Sequence, residues 1–129
     1  MPKAKLLYGD ITEKIIGVAM EVHSTLGCGF LESVYEEAMV EELALRNVKY
    51  ERQKNIDVFY KGKKIKQFVC DFLIEEKVLV ELKALKQLSD IEYVQTLNYL
   101  KAGNLKVGLL INFGEKSLKH KRFIKEKSV

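Results

Sequence analysis

The run Val107-Gly-Leu-Leu-Ile-Asn-Phe113 is almost wholly apolar, without the alternation of a strand that keeps one face in water. A strand of this kind sits inside a sheet and is covered on both faces. Helices must therefore lie above and below it, which makes the chain a layered protein of mixed type. A helical pattern opening at Ser89 or Asp90 and running to about residue 102 precedes it, and Gly103-Asn104 ends that helix. A helix placed there allows a parallel crossover into the apolar strand.

The rest of the chain is read outward from this centre. Asp10-Ile-Thr-Glu13 has the spacing of a capping box, and Ile11, Ile15, Val18, Ala19, Val22 and Leu26 follow at three- and four-residue steps. These predict an amphipathic helix over about 11–26. Gly27-Cys28-Gly29 breaks it, and a second helix is expected over about 30–47. Strand patterns follow at about 51–60, 64–74 and 77–85, with turns at 61–63 and 75–77. Residues 118–125 are left as a strand or a short helix before a basic tail. The expected order is α-α-β-β-β-α-β, an α/β (α+β) domain whose mixed sheet is flanked by helices.

At 129 residues the chain has length for one domain and a real core, and no boundary or repeat divides it. No apolar run approaches the roughly 20 residues of a membrane span, and the start MPKAKLLYGD lacks a signal-peptide core, so the expected address is the cytoplasm. Cys28 and Cys70 have no CxxC partner, which signals neither a zinc site nor a disulfide framework. The net charge of +4 favours an anionic partner, nucleic acid first. Lysines gather in 61–66 (KGKKIK) and 116–127 (KSLKHKRFIKEK); each cluster suits a phosphate backbone or, equally, a solvated edge that resists aggregation.

Charges inside apolar strands mark the candidate site. In 78–85 (VLVELKAL), Leu79, Glu81, Lys83 and Leu85 share one face, so both charges lie between two leucines. In the preceding strand Phe68, Cys70, Phe72 and Ile74 form one face and Val69, Asp71 and Leu73 the other, so Asp71 also interrupts an apolar stripe. A three-residue turn over 75–77 pairs Ile74 with Val78 and sets Asp71 opposite Glu81; a two-residue turn puts them on opposite faces. In the first register the two Cβ atoms stand ~5 Å apart. Burial of such a pair requires a protonated carboxyl or a cation between them, with Lys83 or a divalent metal as the cation. Glu32 aligns with Tyr35, Met39 and Leu43 and so falls within the apolar stripe of the second helix, either as a partnered buried acid or as a first-turn acid on the helix dipole. Gln95 and Tyr99 lie one turn apart on the third helix. His23, at the edge of the first helix's apolar stripe, reads as a hydrogen-bonded structural histidine in preference to a catalytic one.

Asp71, nine residues, then Glu81-Leu82-Lys83 resembles the D…ExK core of the PD-(D/E)xK nuclease superfamily. Gly29-Phe-Leu-Glu32-Ser-Val-Tyr35 is similar to the signature of its small GxxExxY family, with Val22-His23-Ser-Thr-Leu26-Gly27 as the lead-in. Gln95 and Tyr99 resemble the QxxxY element of the RecB-like and phage-exonuclease-like branch. The likeness runs from about residue 11 to 123. Cys28 stands where that family commonly has proline, and Cys70 replaces the proline of the superfamily's name.

The resemblance implies a restriction-endonuclease-like α-β-β-β-α-β core with an extra N-terminal helix. It implies metal-dependent cleavage of phosphodiester bonds, with nucleic acid, foremost DNA, as partner. No membrane partner is expected from the short apolar runs, and the size leaves little room for a specificity domain, so selection of substrate is expected from a homo-oligomer or a partner protein. Mg2+, replaceable by Mn2+, is then held by Asp71, Glu81 and the Leu82 carbonyl, with Glu32 reaching it through water or placing a second ion. Lys83 orients or deprotonates the attacking water, Gln95 steadies the nucleophile or a phosphate oxygen, and Tyr99 supports Gln95. The alternative is a catalytically silent nucleic-acid-binding or interaction module on the same scaffold.

Overall fold

The computed structural model describes residues 6–125. The first five residues and the end of the lysine-rich 116–127 segment, with the expected basic tail, lie outside the described residues. Three helices and five strands follow in the order α1 (Gly9–Leu26), α2 (Glu32–Leu45), β1 (Tyr50–Tyr60), β2 (Lys63–Ile74), β3 (Val78–Lys83), α3 (Asp90–Gly103), β4 (Val107–Asn112) and β5 (Lys119–Ile124). The segment left open between strand and helix is the strand β5. Sheet order follows chain order, β1-β2-β3-β4-β5. Every neighbouring pair is antiparallel except β3–β4, which α3 joins in parallel.

The apolar strand β4 occupies the covered position its composition demands. Val107, Leu109 and Ile111 face α1 and α2, in a core with Ile15, Val18, Tyr35, Met39 and Leu43. Leu110 faces α3, in a second core with Leu79, Tyr99 and Leu100. Tyr35 stacks on Phe113 with ring centroids 4.6 Å apart, a geometry contributing about 0.5–1.5 kcal/mol beyond area burial. Among the described residues no helix is long and apolar enough to cross a membrane.

Helix starts show where local signals held. Ser89 caps α3 through a capping box with Glu92, its hydroxyl accepting from the Ile91 amide while its own amide donates to the Glu92 carboxylate at 3.0 Å. The α1 box expected at Asp10 does not form. That helix begins at Gly9 after a left-handed Tyr8 with no side-chain cap, and Thr12 donates back to the Gly9 carbonyl instead. Asp10 falls inside the first turn, where a carboxylate suits the positive end of the helix.

The turn between β2 and β3 sets the site. Glu75 and Glu76 both adopt positive φ and the Lys77 amide donates to the Ile74 carbonyl, so Ile74 pairs with Val78 and Phe72 with Val80. The β2–β3 ladder ends at that last pair. On the other side, Arg52 pairs with Phe72 and Lys54 with Cys70, but Gln53, with φ of 53°, skips Asp71. The hairpin bends there, and this corrects the single face expected for Phe68, Cys70, Phe72 and Ile74. Phe72 and Ile74 enter the α1–α2 core, whereas Cys70 and Phe68 pack with the α3 core.

Candidate active site

The bend leaves the amides of Asp71 and Leu82 without a ladder partner across the β2–β3 gap, and two carboxylates take them. Glu81 Oε1 accepts the Asp71 amide at 3.0 Å, and Asp71 Oδ2 accepts the Leu82 amide at 2.7 Å. Each acid is thereby fixed by the backbone of the opposite strand. Glu81 is 5% exposed and lies on the α3 side of β3, in line with buried Leu79.

Bringing two carboxylates together out of water disfavours their ionised forms. Burial, then the charge of Asp71, raises the Glu81 carboxyl to about 8, against the pull of the Asp71 amide and Lys83. Burial likewise raises Asp71 to about 6, with Glu32 and Glu36 adding to the rise and the Leu82 amide and Lys83 opposing it. The two titrate as a pair. Their joint demand is for positive charge.

Lys83 is half-buried at the end of β3 and is felt by Glu32, Asp71 and Glu81 alike. None of the ion pairs among the described residues involves it. Its ammonium is therefore available to a ligand. Glu32 departs from the apolar-stripe expectation: it is the exposed first residue of α2, while Tyr35, Met39 and Leu43 are buried. Partial burial raises its carboxyl, with Lys83 lowering it and Glu36 raising it, which places it on the rim of the acid pair.

Gln95 and Tyr99 come to the same face from α3. Gln95 Nε2 donates to the Tyr99 hydroxyl at 3.2 Å, and the phenol is raised by burial and then by Glu81 and Asp71. Cys70 beside them is pushed up to about 12 by burial and the same two acids, so its thiol stays protonated. His23 is buried and its Nε2 lies 2.8 Å from the Glu115 carbonyl, as a structural histidine.

Sequence reading missed Asn112 and Gly114. Asn112, fully buried at the end of β4, accepts from the Leu85 amide and donates to the Leu85 carbonyl, both at 2.9 Å. It thus holds the chain two residues past Lys83 as another strand would. A Cβ on Gly114 would stand 2.2 Å from the Leu85 carbonyl oxygen, so only glycine allows this approach. A polar residue inside an apolar run, one position before the end of that run and two before a glycine, is the available signal. Glu36, hydrogen-bonded to Gln53 and Arg52 beside the bend, was also missed; its position one turn after Glu32 was the clue.

Among the described residues no three His, Cys, Asp or Glu side chains converge closely enough to hold a metal ion. Asp71 and Glu81 meet as a pair that Glu32 does not join. A pair suits Mg2+, which keeps several waters and is usually bound through one or two carboxylates together with substrate phosphates. The backbone bonds occupy one oxygen of each acid and leave Asp71 Oδ1 and Glu81 Oε2 outside them. The residues present fit a hydrated divalent cation.

None of the curated proteins matches the chain. Among solved structures, the chain is similar to the crystal structure of SSO0001, with a TM-score of 0.51 and 16% identity over 92% of this chain and 79% of that one. It is also similar to an alkaline exonuclease (LHK-Exo) from Laribacter hongkongensis, with a TM-score of 0.51 and 13% identity over 98% of this chain and 73% of that one. At these identities the likeness establishes the fold, a mixed five-stranded sheet with three helices of the restriction-endonuclease-like kind. The family model of the PD-(D/E)XK nuclease superfamily matches residues 9–124, and the chain belongs to that superfamily.

Proposed function

We propose that this chain is a metal-dependent nuclease that hydrolyses phosphodiester bonds in DNA. The observation that carries this reading is the crossed pair of hydrogen bonds that holds half-buried Asp71 beside buried Glu81, next to Lys83, which enters no ion pair among the described residues. Two adjacent acids drawn out of water in this way are unfavourable in a purely structural role, and a cation relieves both at once. Asp71, Glu81 and the Leu82 carbonyl are the proposed ligands of Mg2+, with Mn2+ able to substitute and Glu32 in contact through water. A divalent cation there supplies Lewis-acid polarisation of the phosphate and a more acidic water.

The chain's own groups do the rest. Lys83 places the attacking water and offsets charge growing on the phosphate oxygens. Gln95, oriented by its bond to Tyr99, directs its amide toward the nucleophile or a phosphate oxygen. The 29–35 segment, GFLESVY, favours the GxxExxY branch. A homo-oligomer or partner protein is the proposed source of substrate selection, and the free Cys28 and Cys70 suit a cytoplasmic setting.

The test is incubation of pure protein with single- and double-stranded DNA and Mg2+ or Mn2+, beside Lys83→Ala. Cleavage by the wild-type chain alone supports the reading; equal cleavage by both proteins, or none by either, overturns it. A second reading, a nucleic-acid-binding module without turnover, is favoured by the lack of a third converging acid among the described residues. Salt-dependent binding with no cleavage under either metal would select it.

A further inference from the structure

β1 and β2 are 11 and 12 residues long, yet only Phe72, Leu73 and Ile74 of β2 pair with β3. Beyond the bend the two strands form an arm with no third strand beside it among the described residues. A two-stranded ribbon is marginal by itself. Here Ile56, Phe68 and Cys70 anchor its inner face to α3. Toward the tip this support ends, and Phe59 and Tyr60 are 59% and 61% exposed.

The tip combines those aromatics with cations. Lys61, Lys63 and Lys66 are exposed, Lys66 directly across from Val58. Lys64 is the neutralised member, paired with Asp57 at 3.3 Å. A protective lysine edge explains the charges but not the exposed rings between them. A cleft of about 450 Å³ lies between arm and helix, lined by Val58, Phe59, Phe68, Asn98, Lys101 and Ala102. It offers aromatic faces, an amide and an ammonium together.

The cleft and the acid pair share a wall. Phe68 meets Tyr99 with ring centroids 5.1 Å apart, and Tyr99 holds Gln95. From Gln95 to Ala102 the helix advances about 10 Å at ~1.5 Å per residue. That distance is about three stacked nucleotides at ~3.4 Å each.

We infer that this cleft holds a single strand of nucleic acid, with a base stacked on Phe59 and phosphates met by Lys66 and Lys101. The inference rests on the nuclease reading for its direction along α3. Stacking on a ring requires an unpaired base, and a concavity of this volume admits a base but not a duplex. The lysines supply the charge complement, which a second copy of this basic chain would lack.

The experiment measures fluorescence anisotropy of labelled oligodeoxythymidylate with the full chain in EDTA, where cleavage plays no part. Phe59→Ala is expected to weaken binding by about tenfold, in line with the loss of one stacked base. Lys66→Gln and Lys101→Gln should each reduce the slope of log affinity against log salt by about 0.7. Leu45→Ala, an exposed apolar change at the end of α2, should leave binding as it is. Unchanged binding in Phe59→Ala overturns the inference, as does a Phe59→Ala change that only converts a dimer to monomer in sedimentation. The two readings fail separately: Lys83-dependent cleavage with no Phe59 effect rejects the cleft, and a Phe59 effect without cleavage under any metal rejects the nuclease.

Discussion

Glu81 accepts the main-chain amide of Asp71 at 3.0 Å at the point where β2 and β3 cease to pair, so one site acid positions the backbone of the other. The arrangement explains how the sheet tolerates two neighbouring acids. Hydrogen bonds from amides to a carboxylate favour its charged form, partly opposing the desolvation that raises it. The remaining imbalance is what a cation corrects.

Replacing the lysine tests catalysis most directly. Lys83→Ala should lower the cleavage rate by about 10²–10⁴-fold, the range for loss of a positioned acid–base or charge-stabilising group. No ion pair among the described residues is broken, but the ammonium offsets the charges of Asp71, Glu81 and Glu32, so the melting temperature in EDTA should fall modestly while the chain still folds. Cleavage within threefold of wild type would remove Lys83 from the mechanism.

Glu81→Gln should stabilise the metal-free protein at pH 8 while abolishing cleavage. Its amide oxygen retains the Asp71 amide and its NH2 can donate to the Asp71 carboxylate, so one buried charge is removed without an orphaned group. A gain of about 1 kcal/mol corresponds to a rise of roughly 3–6 °C for a domain of this size. A melting temperature lowered by the change, measured in EDTA, would contradict the strained acid pair.

The pH dependence follows from the same acids. Glu81 moves from 4.5 to about 8 on folding and Asp71 from 3.8 to about 6, so the folded chain holds extra protons between those limits. Their contribution to stability is complete below the unfolded values and is lost as pH rises through 6 and then 8. Denaturation midpoints in EDTA should fall from pH 5 to pH 9, and Glu81→Gln should flatten the curve. Mn2+ competes with those protons and should raise the midpoint more at pH 8.5 than at pH 5.5. Midpoints that climb across this range would reverse the argument.

Asn112→Ala removes both side-chain hydrogen bonds to the part-buried Leu85 backbone, at a cost of about 1–3 kcal/mol in all. Gly114→Ala forces the Ala84–Leu85 backbone aside and should cost a comparable amount by overpacking. Both should lower kcat more than they raise KM, because they displace the Lys83 end of β3 while leaving the arm intact. Equal effects of stability alone, with kcat preserved in the folded fraction, would assign the two residues to packing.

Element order was legible because turn residues and apolar spacing agree along the chain. Gly27-Cys28-Gly29 does end α1, and β4 is an interior strand with Leu109 and Leu110 buried on opposite sides. The meeting of Asp71 with Glu81 was legible through the length of one turn. Three features were not. Cys70 and Phe72 share a parity but not a core, since alternation presumes a continuous ladder and Gln53 interrupts it. Glu32 matches the spacing of Tyr35 and Met39 yet lies at the helix end, beyond the layer that buries them. Asn112 works through Leu85, 27 positions earlier, a relation that no local pattern encodes.

The solvent-facing corner Glu75-Glu76-Lys77 touches no proposed ligand, and surface corners of this kind ordinarily accept added or deleted residues freely. Here the pairing that the corner fixes, Ile74 with Val78, decides whether Asp71 meets Glu81, because a slip of one residue in that register would turn one strand's side chains to the other face. An unremarkable loop, far from any reacting atom, is the counting device on which the chemistry depends.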